Sequence, residues 1–208
     1  CLYKFYKLDR FSEDLDFSAI GNVEINKLIN NVIQDFSRFG IKANQHQKRE
    51  PFNSVLITLR IEGPLFTGRS TTYANIGIDI NLMSAVLLDP EALSYSSIYP
   101  EVPKVHAICM NLQEIFAEKI RALMTRKRAR DLFDLNFLLQ NNIYADKSLI
   151  EKKMEYYNEQ FKLNALLKKL YEFSQNWKKE LSGFTNLLPD FNIAMKNVKD
   201  ALTKHYKD

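Results

Sequence analysis

The chain is 208 residues long, 46% hydrophobic and 12% aromatic, enough to bury a substantial core in one large domain or two small ones. A formal net charge of +4 suits a nucleotide or nucleic-acid partner without demanding one. The two cysteines, Cys1 and Cys109, exclude a disulfide framework and point to a reducing setting. No apolar run approaches the roughly 20 residues that cross a bilayer, and no signal peptide opens the chain, so the expectation is a soluble, cytoplasmic protein without a membrane partner. The chain begins on Cys1 and not Met, amid Leu2, Tyr3, Phe5 and Tyr6, as a fragment lacking its natural N-terminus would.

The first informative stretch is Arg10-Phe11-Ser12-Glu13-Asp14-Leu15-Asp16-Phe17-Ser18. On a strand, side chains two apart share a face, so Asp14 and Asp16 lie together, about 6 to 7 Å apart. Two like charges at that spacing repel unless a cation or basic partner relieves them. Hard oxygen donors of this kind suit Mg²⁺, which takes one or two carboxylates and completes its shell with water and phosphates. A solvated strand edge fits the same two residues.

Residues 22–39 carry Val23, Ile25, Leu28, Ile29, Val32, Ile33 and Phe36 at helical spacing, closed by Gly40. Residues 54–62 and 74–82 are rich in β-branched residues and read as neighbouring strands across a Gly-Pro turn and a polar loop; a shorter strand is expected at 104–110. These strands fit one sheet backed by a helix. In the 74–82 strand, Ile76, Ile78 and Ile80 take one face, and Gly77, Asp79 and Asn81 the other. Were the Asp14/Asp16 strand its neighbour, three carboxylates would meet on one patch, enough for two-metal phosphoryl transfer. A one-sided antiparallel sheet with Asp79 in water fits as well.

From Asn111 the pattern is helical, at about 111–124, 130–141, 147–158, 162–181 and 189–205. This shift divides the chain into an α+β part, 1–110, and a helical part, 111–208. Asn111 and Glu114 have the spacing of a capping box. Lys119 lies on the apolar stripe of Leu112, Ile115, Phe116 and Leu123, and needs either a snorkel to water or an anionic partner. The run Arg126-Lys127-Arg128-Ala129-Arg130 fits a phosphate-backbone contact or a solvated helix-helix loop. Asp131 and Asp134 share a helix face with Leu135 and Leu138; Lys119 and Asp134 fit as a pair at a cleft rim, and Asp131 also suits a first-turn acid favoured by the helix dipole.

The octapeptide Arg-Phe-Ser-Glu-Asp-Leu-Asp-Phe, then Glu-Ile-Phe-Ala-Glu-Lys-Ile-Arg-Ala-Leu and Arg-Asp-Leu-Phe-Asp-Leu, resembles the nucleotidyltransferase toxins of abortive-infection type, AbiEii/AbiGii, with their mycobacterial MenT relatives. The resemblance spans roughly residues 1–140. It implies a polymerase-β-like minimal nucleotidyltransferase sheet with helices and a helical C-terminal domain. The implied activity is transfer of nucleotides from NTP to RNA, in some relatives tRNA 3′ ends, by the toxin of a toxin-antitoxin pair. The implied cofactor is Mg²⁺ or Mn²⁺. By position, Asp14 and Asp16 match the metal-binding acids, Asp79 the third acid, Lys119 the phosphate-contacting lysine, and Asp131 and Asp134 the acids of the Arg-Asp-x-x-Asp motif, with Asp134 the stronger active-site candidate. Ser12, Arg10 and Arg130 occupy motif positions.

The family precedes these motifs with a Gly-Gly-Thr/Ser turn that grips the triphosphate, and no such turn occurs in the sequence. Cys1-Leu2-Tyr3 resembles the stretch immediately downstream of that turn, so the expectation is a chain begun past it, its catalytic competence open. The competing reading is a non-catalytic nucleotide- or RNA-binding module with an incomplete site. A hydrolytic nuclease using the same acids is a third.

Overall fold

The computed structural model describes residues 1–51, 53–83, 85–99 and 102–207. Along the chain run α1 (Leu2–Tyr6), β1 (Leu15–Ser18), α2 (Ile25–Arg38), β2 (Ala43–Arg49), β3 (Ser54–Ile61), β4 (Ala74–Asn81), β5 (Glu91–Tyr95) and β6 (Val105–Cys109). Then come α3 (Leu112–Thr125), α4 (Ala129–Gln140), α5 (Lys147–Glu155), α6 (Leu163–Lys169), α7 (Ser174–Leu181) and α8 (Phe191–Tyr206). The elements fall into two compact units, residues 12–84 and residues 1–11 with 85–208. The contacts thus divide the chain elsewhere than the composition shift near residue 110.

In the first unit, four strands form a sheet of order β1-β4-β3-β2, with β1 parallel to β4 and the rest antiparallel. Period-2 alternation sends Val55, Ile57, Leu59, Ile78 and Ile80 to one face, where they pack with Ile29 of α2. Ile25, Val32, Ile33 and Phe36 complete that helix's apolar stripe. Gly40, at φ 71, closes it as expected, because the left-handed conformation costs glycine nothing. The polar β2 has no strand signature in the sequence. It forms as a mostly exposed edge through its ladder with β3, with a register shift between Gln45 and Gln47.

The second unit corrects the expectation of a single sheet. β6 pairs with β5 in a separate antiparallel ribbon, Leu93 opposite Ala107, and belongs with the helices. Glu91 of β5 explains the attachment, since it accepts from Asn111 Nδ2 at 3.0 Å and Tyr6 Oη at 3.2 Å. The helices bury Phe116, Ile120, Leu132, Leu135, Ile150, Leu166, Trp177 and Val198 in one core. The stretch expected as one helix at 162–181 is α6, a 3₁₀ turn at Leu170–Phe173, and α7. The turn aligns Leu170 and Phe173, three apart, on the core side, as a three-residue period requires. Among the described residues no helix is long and apolar enough to cross a membrane.

Helix α3 starts as expected in one respect and not another. The Asn111 side chain accepts from Gln113 N at 2.9 Å, a true N-cap. Glu114 closes no capping box. It is fully buried, accepts from Leu87 N at 2.7 Å and Leu88 N at 3.0 Å, and pairs with Lys153 of α5 at 2.6 Å. Lys153 also donates to Ala85 O and pairs with Glu118 at 3.0 Å. The backbone just after residue 84 is therefore stitched to α3 and α5 by charge. Removing one member strands the other in a medium that cannot solvate it, at a cost of about 3 kcal/mol or more. Glu114→Gln should lower the unfolding free energy by that order, measured by urea denaturation.

Candidate functional site

The acids of the sheet are assembled by strand register. Parallel pairing sets Asp16 beside Asp79, with Leu15 beside Ile78 and Phe17 beside Ile80. Since Ile78 and Ile80 point into the core, Asp16 and Asp79 point the other way together. Asp14, one residue before β1, leans over Gly77: a Cβ added to Gly77 would overlap Asp14 Oδ1. Thus Asp14, Asp16 and Asp79 come to one face, Asp14 and Asp16 exposed and Asp79 half-buried. The expected adjacency of the two acidic strands is met, in parallel orientation.

Among the described residues no three His, Cys, Asp or Glu side chains form a ready metal cluster. The donor set nonetheless fits a hard dication, which needs only one or two carboxylates besides water and phosphate oxygens. Gly77 leaves clear the space that Asp14 occupies. Ser12 is spent on the backbone, donating to Asp14 O at 3.2 Å as the chain approaches β1. Gly77 is the residue whose role sequence reasoning missed; its lack of a side chain on the acid-bearing face was the available signal.

In the other unit, Lys119, Asp131 and Asp134 form a ladder of charge. Lys119 Nζ lies 2.7 Å from Asp134 Oδ2 and 3.1 Å from Asp131 Oδ1. Arg10 grips Asp134 with two bonds, 2.7 and 2.9 Å, and Arg126 grips Asp131 with two, 2.8 and 2.9 Å. Arg10 is placed by its neighbours, with Phe11 N donating to Phe184 O at 2.6 Å and Asp9 accepting from Thr185 and Asn186. Of the readings open for Lys119, pairing holds: its side chain is 20% exposed and Asp131 and Asp134 are buried. Asp131 is correspondingly more than a first-turn acid.

The basic run is not simply a solvated loop. Arg126 is bound to Asp131 and Lys127 pairs with Glu172 at 2.6 Å, while Arg128 and Arg130 are exposed. Arg126 was not separable from its neighbours in sequence, because its reach to Asp131 depends on the loop's path.

Burial alone would raise the Asp134 carboxyl, but the charge of Lys119 and the bonds from Arg10 outweigh it and hold it below the usual range. Burial likewise opposes ionisation of Asp131, and Lys119 with Arg126 reverses that. Burial would lower Lys119, and the two aspartates push it up. The carboxylates' contribution to stability is therefore present above their unfolded value of about 3.9 and lost as pH falls through their depressed folded values. That of Lys119 is present below about 10.4 and lost only as pH rises through its elevated folded value.

Two comparisons bear on this arrangement. The fold matches that of MenT4, a nucleotidyltransferase toxin from Mycobacterium tuberculosis H37Rv, with a TM-score of 0.66 at 15% identity, covering 100% of this chain and 73% of that one. The α+β architecture is thus that of a nucleotidyltransferase toxin. The profile of the family described as "Nucleotidyl transferase AbiEii toxin, Type IV TA system" matches residues 1–204, and the chain belongs to that family. No curated protein matches it.

The geometry predicts two outcomes. Gly77→Ala should push the exposed Asp14 carboxylate aside with little loss of stability, read as a melting temperature close to that of the wild type. The urea midpoint should fall as pH drops below about 4, with a shallower acid limb in Asp134→Asn, checked by unfolding across pH 2 to 7.

Proposed function

We propose that this AbiEii-family protein is a divalent-metal-dependent nucleotidyltransferase that transfers a nucleotide from an NTP to RNA, with tRNA 3′ ends as the acceptor class. It acts in the cytoplasm as the toxin of a pair whose antitoxin is its cognate partner. The observation that carries the reading is the β1–β4 register, which sets Asp16 beside Asp79 and clears Gly77 for Asp14. Phosphoryl transfer is a chemistry that calls for acids gathered on one face in this way.

In this mechanism an RNA hydroxyl oxygen attacks the α-phosphorus of the NTP. The bond from that phosphorus to the α,β-bridging oxygen breaks, and pyrophosphate leaves. Asp14 and Asp16, with Asp79, would hold Mg²⁺ or Mn²⁺, which when bound neutralises phosphate charge as a Lewis acid. Asp79 orients the attacking hydroxyl and accepts its proton. Lys119 commits two of its three N–H donors to Asp131 and Asp134 and keeps the third for a phosphate oxygen. Asp134, clamped by Arg10, fixes where that ammonium points. Ser12 steadies the approach to β1, and exposed Arg130 suits a phosphate contact. Catalysis is then mostly positioning and preorganised charge, as phosphoryl transfer generally is.

The test is incubation with Mg²⁺, each α-labelled NTP and total cellular RNA. Label should enter RNA, and Asp14→Ala/Asp16→Ala should reduce incorporation at least about 100-fold, the scale on which loss of a transition-state charge partner is felt. Equal incorporation by the variant would sink the mechanism. RNA that binds without ever gaining label would favour the non-catalytic binding module.

A further inference from the structure

The acid-bearing face of the sheet is divided by charge. Asp14, Asp16 and Asp79 occupy its β1 and β4 half; its β3 and β2 half carries Arg60 and Arg49, which the register places on the same face through Leu56 opposite Asp79 and Arg49 opposite Leu56. Arg49 is exposed at the sheet edge and donates to Gln47 at 2.9 Å. Arg60 is different. Its Nε is buried and, among the described residues, meets no hydrogen-bond acceptor. A buried, unsatisfied donor on a charged group is expensive, and one that is retained calls for an explanation, such as strain, an ordered water, an ion or a ligand.

The guanidinium is also held in place. Its carbon lies 5.6 Å from the centre of the Tyr73 ring, and Tyr73 is braced by Phe66 at 4.5 Å. Stacking on an aromatic face fixes the plane of the fork and reduces the entropy lost when it grips an anion. Glu62, the nearest acid along the chain, is engaged by Lys42 at 3.4 Å. Two residues along the strand and two strands across separate Arg60 from Asp14, about 12 Å between α-carbons from strand geometry. That span suits a substrate whose reacting phosphate sits at the acids and which carries further phosphates.

We propose that Arg60, stacked on Tyr73, is a phosphate-binding position on the acid-bearing sheet face, taking a phosphate of the substrate whose reacting end lies at Asp14, Asp16 and Asp79. The inference rests on the transferase reading for what the substrate is, and on Arg60's own surroundings for where it binds. The phosphate belongs either to the NTP tail or to the acceptor strand, and the two give different results.

The experiment measures binding of inorganic tripolyphosphate and of a labelled single-stranded RNA oligonucleotide to the full chain with Mg²⁺, wild type against Arg60→Gln, at low and moderate salt. Loss of the fork should weaken at least one probe about tenfold or more, the scale of a charge-assisted hydrogen bond. Loss for tripolyphosphate alone assigns the NTP tail. Loss for RNA, with the salt slope flattened by about 0.7, assigns a strand phosphate. Unchanged binding of both probes overturns the proposal. Should Arg60→Gln misfold, phenylglyoxal modification of the wild type, read at Arg60 by mass spectrometry, decides: protection by either probe supports it, and equal reactivity with and without both overturns it. These readouts need no catalysis, so transfer that survives Asp14→Ala/Asp16→Ala would overturn the transferase reading without disturbing the result at Arg60.

Discussion

Burying charge only beside its counter-charge is the constraint on which the helical unit is built. Helix α3 is its centre. It sends Glu114 and Glu118 to Lys153 of α5 and Lys119 to Asp131 and Asp134 of α4, so both neighbours are registered by ion pairs as well as by apolar packing. Desolvating each ion costs several kcal/mol, and only accurate pairing recovers it, so a slip of one helical turn would strand charges in the core. The same networks fasten the two stretches of chain that join this unit from outside its helices. Arg10 ties residues 1–11 to α4, and Glu114 with Lys153 ties residues 85–88 to α3 and α5.

The sheet obeys the opposite logic. Its acids Asp14, Asp16 and Asp79 lie on a face that its own helix does not cover. Register leaves no other outcome, because parallel pairing of β1 on β4 with Ile78 and Ile80 inward must turn Asp16 and Asp79 outward side by side. Gly77 adds to this an absence of side chain where Asp14 needs room. Such a gathering of like charge is a local departure within an otherwise consistent fold. AbiEii membership supplies the class of chemistry, and the register divides this face between the acids and Arg60.

Much of this was legible in the sequence. The period-2 strands around Ile57 and Ile78, the stripe of α2 with its Gly40 stop, and the helices from Asn111 onward come from spacing that local chemistry enforces. Elements without apolar periodicity, such as the polar β2, were not legible, since their stability comes from a partner strand. Glu114 read as a capping acid because spacing cannot distinguish a helix N-terminus from the backbone amides of Leu87 and Leu88, which only folding brings near.

The sequence by itself determined which residues are the candidates for the chemistry: Asp14, Asp16 and Asp79 in two acidic strand segments, and Lys119, Asp131 and Asp134 on successive helices. Tertiary structure decided who meets whom. It put Asp16 beside Asp79, spent Lys119 on two aspartates, recruited Arg10 and Arg126 to hold them, and left the Nε of Arg60 without an acceptor among the described residues. The reason is that periodicity fixes a side chain's face relative to its own backbone, whereas a charge's partner is set by register and packing between elements remote in sequence.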